Sequence, residues 1–154
     1  MAIFHLSKTP RRSIHDHDPM TETKTHLWPT MVFDDAPAAM EFLKDAFGFV
    51  ELARYTRADD EAVVEHGELR WPAGGGVMVG SAGKDDTAFG RRPAGVGSVY
   101  IVCDDPDALF ARATAAGAEV VRGLVDEDYG SRGFTVSDPE GNLWSFGTYA
   151  GAGA

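Results

Sequence analysis

The chain has 154 residues, 44% of them hydrophobic and 25% charged, enough for one globular domain with a substantial core. Its formal net charge of −10 argues against a nucleic-acid partner, because phosphate binding needs clustered Lys and Arg. One cysteine excludes an intrachain disulfide and no stretch reaches the length of a membrane span, so we expect a cytoplasmic protein with no membrane partner.

The first 25 residues are polar and carry no periodic pattern, which predicts a flexible extension. Arg11 and Arg12 precede polar residues where a signal peptide needs an apolar core, so no secretion signal is expected. Met20 offers an alternative start, because a strand pattern follows it directly.

Residues 26–82 follow a β-α-β-β-β pattern. A strand is predicted at 27–33, and Asp34 or Asp35 then caps a helix. Apolar residues at i, i+3 and i+4 spacing give this helix one buried stripe, and Gly48 ends it. Three further strands are predicted at 49–56, 62–71 and 76–81.

The same plan recurs after a Gly- and Pro-rich linker at 82–95. Val32 is followed after one residue by two aspartates, and the same pattern recurs 70 residues later at Val102. A second helix is predicted after it and runs to Gly117. Two tandem βαβββ modules, at about 26–82 and 96–149, predict an α+β fold in a single domain, with a loose tail at 150–154. The strands of the second module are predicted at 99–103, 118–122, 133–137 and 143–148.

Three motifs carry a family resemblance. Residues 129–136 read Tyr-Gly-Ser-Arg-Gly-Phe-Thr-Val, residues 138–144 read Asp-Pro-Glu-Gly-Asn-Leu-Trp, and residues 66–69 read His-Gly-Glu-Leu. Together with the repeat, they resemble the vicinal oxygen chelate superfamily, the glyoxalase/bleomycin-resistance/dioxygenase group, over about residues 26–149. The resemblance implies two sheets that curl into a cleft, and a homodimer that completes it.

The resemblance also implies four metal-ligand positions, on the first and last strands of each repeat, which enzymes of the superfamily mostly fill with His, Gln or Glu. The repeat maps these positions to Trp28, Ser98, Met78 and Ser145. Indole, hydroxyl and thioether groups are poor ligands for a hard divalent cation. We therefore expect no metal and no other cofactor. The one alternative on the first strand is His26, a possible metal ligand two residues before Trp28.

A metal-free cleft is typical of superfamily members that sequester antibiotics. His66 and Glu68 are expected to share one face of a strand. Three roles are open for this pair: contact with a ligand, acid/base catalysis, or a solvated surface. Arg132 either clamps an anionic group or pairs with a nearby acid at 126–128. The candidate ligand-binding residues are Trp28, Phe33, His66, Met78, Ser98, Tyr100, Tyr129, Arg132 and Ser145.

Three hypotheses follow. The first is a homodimer of the bleomycin-resistance type that binds or sequesters a small aromatic or cationic compound. The second is a metal-dependent isomerase, lyase or dioxygenase with a displaced site near His26, His66 and Glu68. The third is a vestigial cleft in a protein that acts through dimer or partner contacts.

Three further residues are expected to be structural. Cys103 is predicted to be a buried thiol, and Asp138 and Asn142 are predicted to shape a turn without a catalytic role.

Overall fold

The computed structural model describes residues 27–84 and 86–153, so the predictions for residues 1–25 and for His26 lie outside the described residues. The first module contains β1 (Thr30–Phe33), α1 (Ala36–Phe42), a π-helical turn (Leu43–Phe47), β2 (Val50–Arg57), β3 (Asp60–Arg70) and β4 (Gly76–Ser81). The second module contains β5 (Ser98–Val102), α2 (Pro106–Ala115), β6 (Glu119–Asp126), β7 (Arg132–Ser137) and β8 (Leu143–Gly147).

Each module forms one four-stranded mixed sheet. The strand orders are β1-β4-β3-β2 and β5-β8-β7-β6, and in each sheet the first pair is parallel and the other two are antiparallel. The α+β class and the doubled βαβββ order predicted from the sequence are therefore confirmed. No helix among the described residues is long and apolar enough to cross a membrane.

Both helices begin as the sequence predicts. Asp35 accepts a hydrogen bond from the N–H of Ala38, and Asp105 accepts one from the N–H of Ala108, each at 3.0 Å. Gly48 ends the first helical segment with φ at +84°, a left-handed conformation that favours glycine. The last helical turn before it widens into a π-helix, which the sequence pattern does not reveal.

Two strands differ from their predicted bounds by three residues or more. β1 begins at Thr30 rather than at residue 27, because Pro29 has no N–H for a ladder hydrogen bond. The carbonyl of Pro29 still accepts a hydrogen bond from the N–H of Met78 at 2.8 Å. β6 continues four residues beyond its predicted end at residue 122, and two register shifts accommodate its pairing with β7.

The helices cover one face of each sheet and join the two modules in one core. The Phe47 ring contacts Phe146 and Trp144, with centroid distances of 4.8 and 5.3 Å. The Arg112 guanidinium on α2 donates to the carbonyl oxygens of Lys44 and Asp45 at 2.9 and 2.8 Å, so the second module caps the end of the first helical segment.

No helix within residues 27–84 and 86–153 covers the opposite face of either sheet. Side chains alternate along a strand, and Gly67 packs against Met40 of α1, so its neighbours His66 and Glu68 point away from the helix. We call these two uncovered surfaces the open faces. The first open face carries Trp28, Thr30, Val32, His66, Glu68 and Met78, and the second carries Ser98, Tyr100, Val102, Thr135, Leu143 and Ser145.

Cys103 follows β5 and is 8% exposed. Burial raises the pKa of its thiol to about 11, with a smaller contribution from the two aspartates that follow it. The thiol is therefore neutral at pH 7 and a poor nucleophile, which confirms the prediction of a structural cysteine.

Candidate functional site

A row of three side chains crosses the first open face. Met78 on β4 pairs with Thr30 on β1 and with Glu68 on β3. Trp28 lies on the same face two residues before Thr30, and a Cβ placed on Gly76 would lie 2.5 Å from its ring. The residue opposite Met78 is therefore Thr30, and Trp28, which the repeat mapping gives for the first-strand position, lies beside this row.

An equivalent row crosses the second open face. Ser145 on β8 pairs with Tyr100 on β5 and with Thr135 on β7, and its hydroxyl lies 2.9 Å from the Thr135 hydroxyl. Ser98 is again two residues away, opposite Leu143. The residue facing Ser145 is thus Tyr100, and Ser98, which the repeat mapping gives for the first-strand position, lies beside this row.

The Glu68 side chain of the first row is hydrogen-bonded to His66, two residues earlier on β3. The His66 Nε2 is 2.8 Å from the Glu68 Oε1, and both side chains are partly exposed. The Tyr55 ring stacks on the imidazole with a centroid distance of 6.2 Å. This group combines an aromatic surface with a carboxylate. Tyr55 could have been identified from the sequence, because the two predicted strands 49–56 and 62–71 form a hairpin that pairs it with His66.

An aromatic group lies at the edge of the second open face. The Tyr100 hydroxyl donates to the carbonyl of Tyr149 at 2.9 Å, and the Tyr129 and Tyr149 rings meet edge-on at 5.7 Å. Tyr100 is 50% exposed and Tyr129 is 65% exposed. Partial burial raises the pKa of Tyr100, so its phenol stays neutral at physiological pH.

Two of the predicted contacts take other roles. The Arg132 guanidinium makes two hydrogen bonds to the Asp107 carboxylate, at 2.8 and 3.0 Å, and an ion pair with Asp126 at 3.1 Å. The intramolecular salt bridge is thus confirmed, and these acids raise the pKa of Arg132. Phe33 is 1% exposed and lies in the core on the helix side of β1, so its prediction as a cleft contact is wrong.

The residues of this surface do not fit a divalent metal. The two rows offer hydroxyl, thioether and neutral phenol groups at the four facing positions, and Glu68 adds a carboxylate next to Met78. Across residues 27–84 and 86–153, no three His, Cys, Asp or Glu side chains come close enough to hold a metal ion. His26 lies outside the described residues.

Comparison with known proteins gives a consistent family. The family model described as Glyoxalase/Bleomycin resistance protein/Dioxygenase superfamily matches residues 26–146. The uncharacterized protein Rv0887c of Mycobacterium tuberculosis is 36% identical over 129 residues, which cover 79% of this chain and 72% of that protein.

Solved structures show the same fold. TioX from Micromonospora sp. ML1 is 33% identical, with a TM-score of 0.69, over 80% of this chain and 98% of TioX. A superfamily member from Sphaerobacter thermophilus is 21% identical, with a TM-score of 0.61, over 80% of this chain and 94% of that one.

Proposed function

We propose that this chain, which belongs to the glyoxalase/bleomycin resistance protein/dioxygenase superfamily, binds a small aromatic or cationic organic molecule in a metal-free cleft. The observation that carries the proposal is the pair of rows on the open faces. Thr30, Met78, Tyr100 and Ser145 stand at the facing positions, and they suit contact with an organic molecule better than a divalent ion.

Several large side chains on and beside the open faces are exposed to solvent. Tyr55 is 63% exposed, Tyr149 is 44% exposed, and Val102 and Leu143 are each 39% exposed. Exposed apolar side chains on one surface are characteristic of a binding site. Superfamily proteins commonly form dimers, and we propose that a second copy of the chain covers these faces and encloses the cleft.

The charge on the first open face favours a cation. Glu68 presents a carboxylate beside the Tyr55 and His66 rings, and an aromatic cation can stack on the rings while it pairs with the carboxylate. The net charge of −10 attracts cations over a longer range. Sequestration of such a compound, in the cytoplasm and as a form of antibiotic resistance, is the corresponding proposed role.

A titration with proflavine, a planar aromatic cation, tests this proposal. We expect saturable binding to metal-free protein, and at least about tenfold weaker binding to Glu68→Gln and to Tyr100→Ala, because each loses a charged or stacking contact. Glu61→Gln is the control, since it removes the same charge from an exposed position seven residues earlier in β3. Equal affinity in all four proteins would contradict the proposal.

One observation favours an enzyme as a second candidate. The 2.8 Å contact between His66 and Glu68 orients the imidazole as a general acid or base would need. If a bound compound is converted, His66→Asn should abolish turnover while binding persists. Turnover that survives in this variant would exclude the pair as the catalytic group.

A further inference from the structure

A β-bulge in β3 determines where the His66 side chain points. Tyr55 on β2 pairs with His66, and the next residue along β2 pairs with Val64, so Glu65 is the extra residue of the bulge. A regular strand places residues two apart on the same face. Here Val64 lies in the core, whereas His66 is partly exposed on the first open face. The position of His66 therefore depends on the bulge.

Side chains bond the main chain at this bulge. The regular pairing of β3 with β4 reaches Gly67 on β3. Beyond it, the N–H of Val64 donates to the Ser81 hydroxyl at 2.9 Å. The carbonyls of Val64 and Glu65 accept hydrogen bonds from the Lys84 ammonium, at 3.3 and 3.4 Å. Lys84 thus supplies a donor to two carbonyls that need a partner at the end of the sheet.

The Lys84 ammonium is buried and fully used by internal acceptors. The side chain is 8% exposed, and its third partner is the Glu65 carboxylate at 3.3 Å. An ammonium has three donors, which match the two carbonyls and this carboxylate. Arg57 binds the other oxygen of Glu65 at 2.8 Å, and the hydrogen bonds from Arg57 and Lys84 lower the pKa of Glu65, so that its carboxylate stays ionised.

Two glycines give Lys84 its place. Gly80 lies on the first open face, two residues after Met78, and a Cβ there would be 3.6 Å from the Lys84 Nζ. A longer side chain at Gly80 would therefore displace the ammonium. In the linker, the N–H of Lys84 donates to the carbonyl of Gly90 at 3.2 Å, and a Cβ on Gly90 would lie 2.5 Å from the Lys84 Cβ. The linker thereby fixes Lys84 at the end of the open face.

We propose that Lys84 is a positioning residue of the site on the first open face, where its ammonium fixes the bulge and thereby orients His66. This orientation places the imidazole 2.8 Å from the Glu68 carboxylate and against the Tyr55 ring. The inference rests on the function proposed above for this face. Because the ammonium is buried and bonded to internal acceptors, Lys84 acts through His66 and not by touching the ligand.

Charge and positioning predict opposite effects when Lys84 is replaced. The ligand proposed for this face is a cation, so the loss of a nearby positive charge would by itself strengthen binding. Loss of the bulge geometry weakens binding, because the carboxylate and the two rings are no longer held together. Lys84→Met keeps most of the side-chain length and removes the donor, so the sign of its effect separates the two explanations.

The first measurement is a proflavine titration of the full chain. We expect Lys84→Met to bind at least about fivefold more weakly than the parent, and Lys84→Arg, which keeps the charge and the donors, to stay within about twofold. Arg57→Met is the matched control, since it removes the other cation on Glu65 and leaves the bulge carbonyls their donor. Its affinity should be unchanged or higher. Gly90→Ala, which displaces Lys84 from the linker side, should weaken binding in the same direction and serves if Lys84→Met does not fold.

The second measurement follows the imidazole itself and needs no ligand. The ¹H–¹³C signal of the His66 ring, assigned by His66→Asn, senses the Tyr55 ring, whose centroid lies 6.2 Å away. Tyr55→Leu should move this signal in the parent chain and leave it nearly unmoved in a Lys84→Met background. A loss of stability alone would not remove this response from the folded protein.

Two results would overturn the inference. One is a His66 signal that responds to Tyr55→Leu equally in the parent chain and in Lys84→Met. The other is a proflavine affinity that stays unchanged or rises in Lys84→Met, which would leave Lys84 no role beyond its charge. If the parent chain does not bind proflavine but the His66 response is lost in Lys84→Met, only the function proposed for the open faces is contradicted.

Discussion

Replacing Asp138 by alanine is expected to lower the free energy of unfolding by about 4 kcal/mol, because buried donors then lose their acceptor. Asp138 is 5% exposed, and its carboxylate accepts from the Trp144 Nε1 at 3.0 Å and from the Asn142 Nδ2 at 2.9 Å. It also accepts from the main-chain N–H groups of Glu140 and Asn142. Trp144 and Asn142 are themselves buried, so water cannot readily replace the carboxylate.

Urea unfolding measures this loss as a lower midpoint with an unchanged slope. Asp138→Asn should lose about half as much, since its amide keeps one oxygen acceptor. Asp128→Ala is the control, because Asp128 is exposed and its change should stay within about 0.5 kcal/mol. A loss at Asp138 no larger than that of the control would show that the network does not hold the turn.

Replacing Glu140 by alanine is expected to cost about 1–2 kcal/mol, because the contact that it makes with the first module disappears. The two carboxylate oxygens of Glu140 share a negative charge, which strengthens their hydrogen bonds to the N–H groups of Asp34 and Asp35. These N–H groups are exposed, so in the variant water partly replaces the carboxylate and limits the loss. Thermal or urea unfolding gives the size of the effect. Glu119→Ala, at an exposed position in β6, provides a matched control that should stay near zero.

The effect should also follow the charge. Glu140→Gln keeps one oxygen acceptor, so its stability should lie between those of the parent chain and Glu140→Ala. High salt should reduce the difference in stability between the parent chain and Glu140→Gln, because the contact is near the surface. A Glu140→Ala protein as stable as its parent would contradict the role of this residue in joining the modules.

The repeat made the order of elements predictable. The capping aspartates, the prolines and the Gly48 terminus are local signals, and a local signal does not require knowledge of tertiary contacts. The burial of Cys103 followed in the same way from its apolar strand. The motif at residues 138–142 predicts a turn, which the structure confirms, but it does not reveal the hydrogen bond from the Trp144 Nε1 to the Asp138 carboxylate.

Contacts between distant parts of the chain could not be predicted. Arg132 binds Asp107, which lies 25 residues away and on α2, whereas the sequence offered only the nearby acids at 126–128. The Glu140 contact spans 106 residues to Asp34 and depends on how the modules pack. By contrast, Phe33 could have been excluded, since it stands five residues after Trp28 and an odd spacing along a strand reverses the face.

We propose that the cleft binds its ligand without a metal. The most direct measurement is metal analysis by inductively coupled plasma mass spectrometry on untagged protein, paired with proflavine titrations before and after addition of Ni²⁺, Zn²⁺, Mn²⁺ and Fe²⁺. We predict far less than one metal ion per chain, and the same proflavine affinity with and without each metal. One tightly held ion per cleft, with proflavine binding that is lost when the ion is removed, would contradict a metal-free cleft.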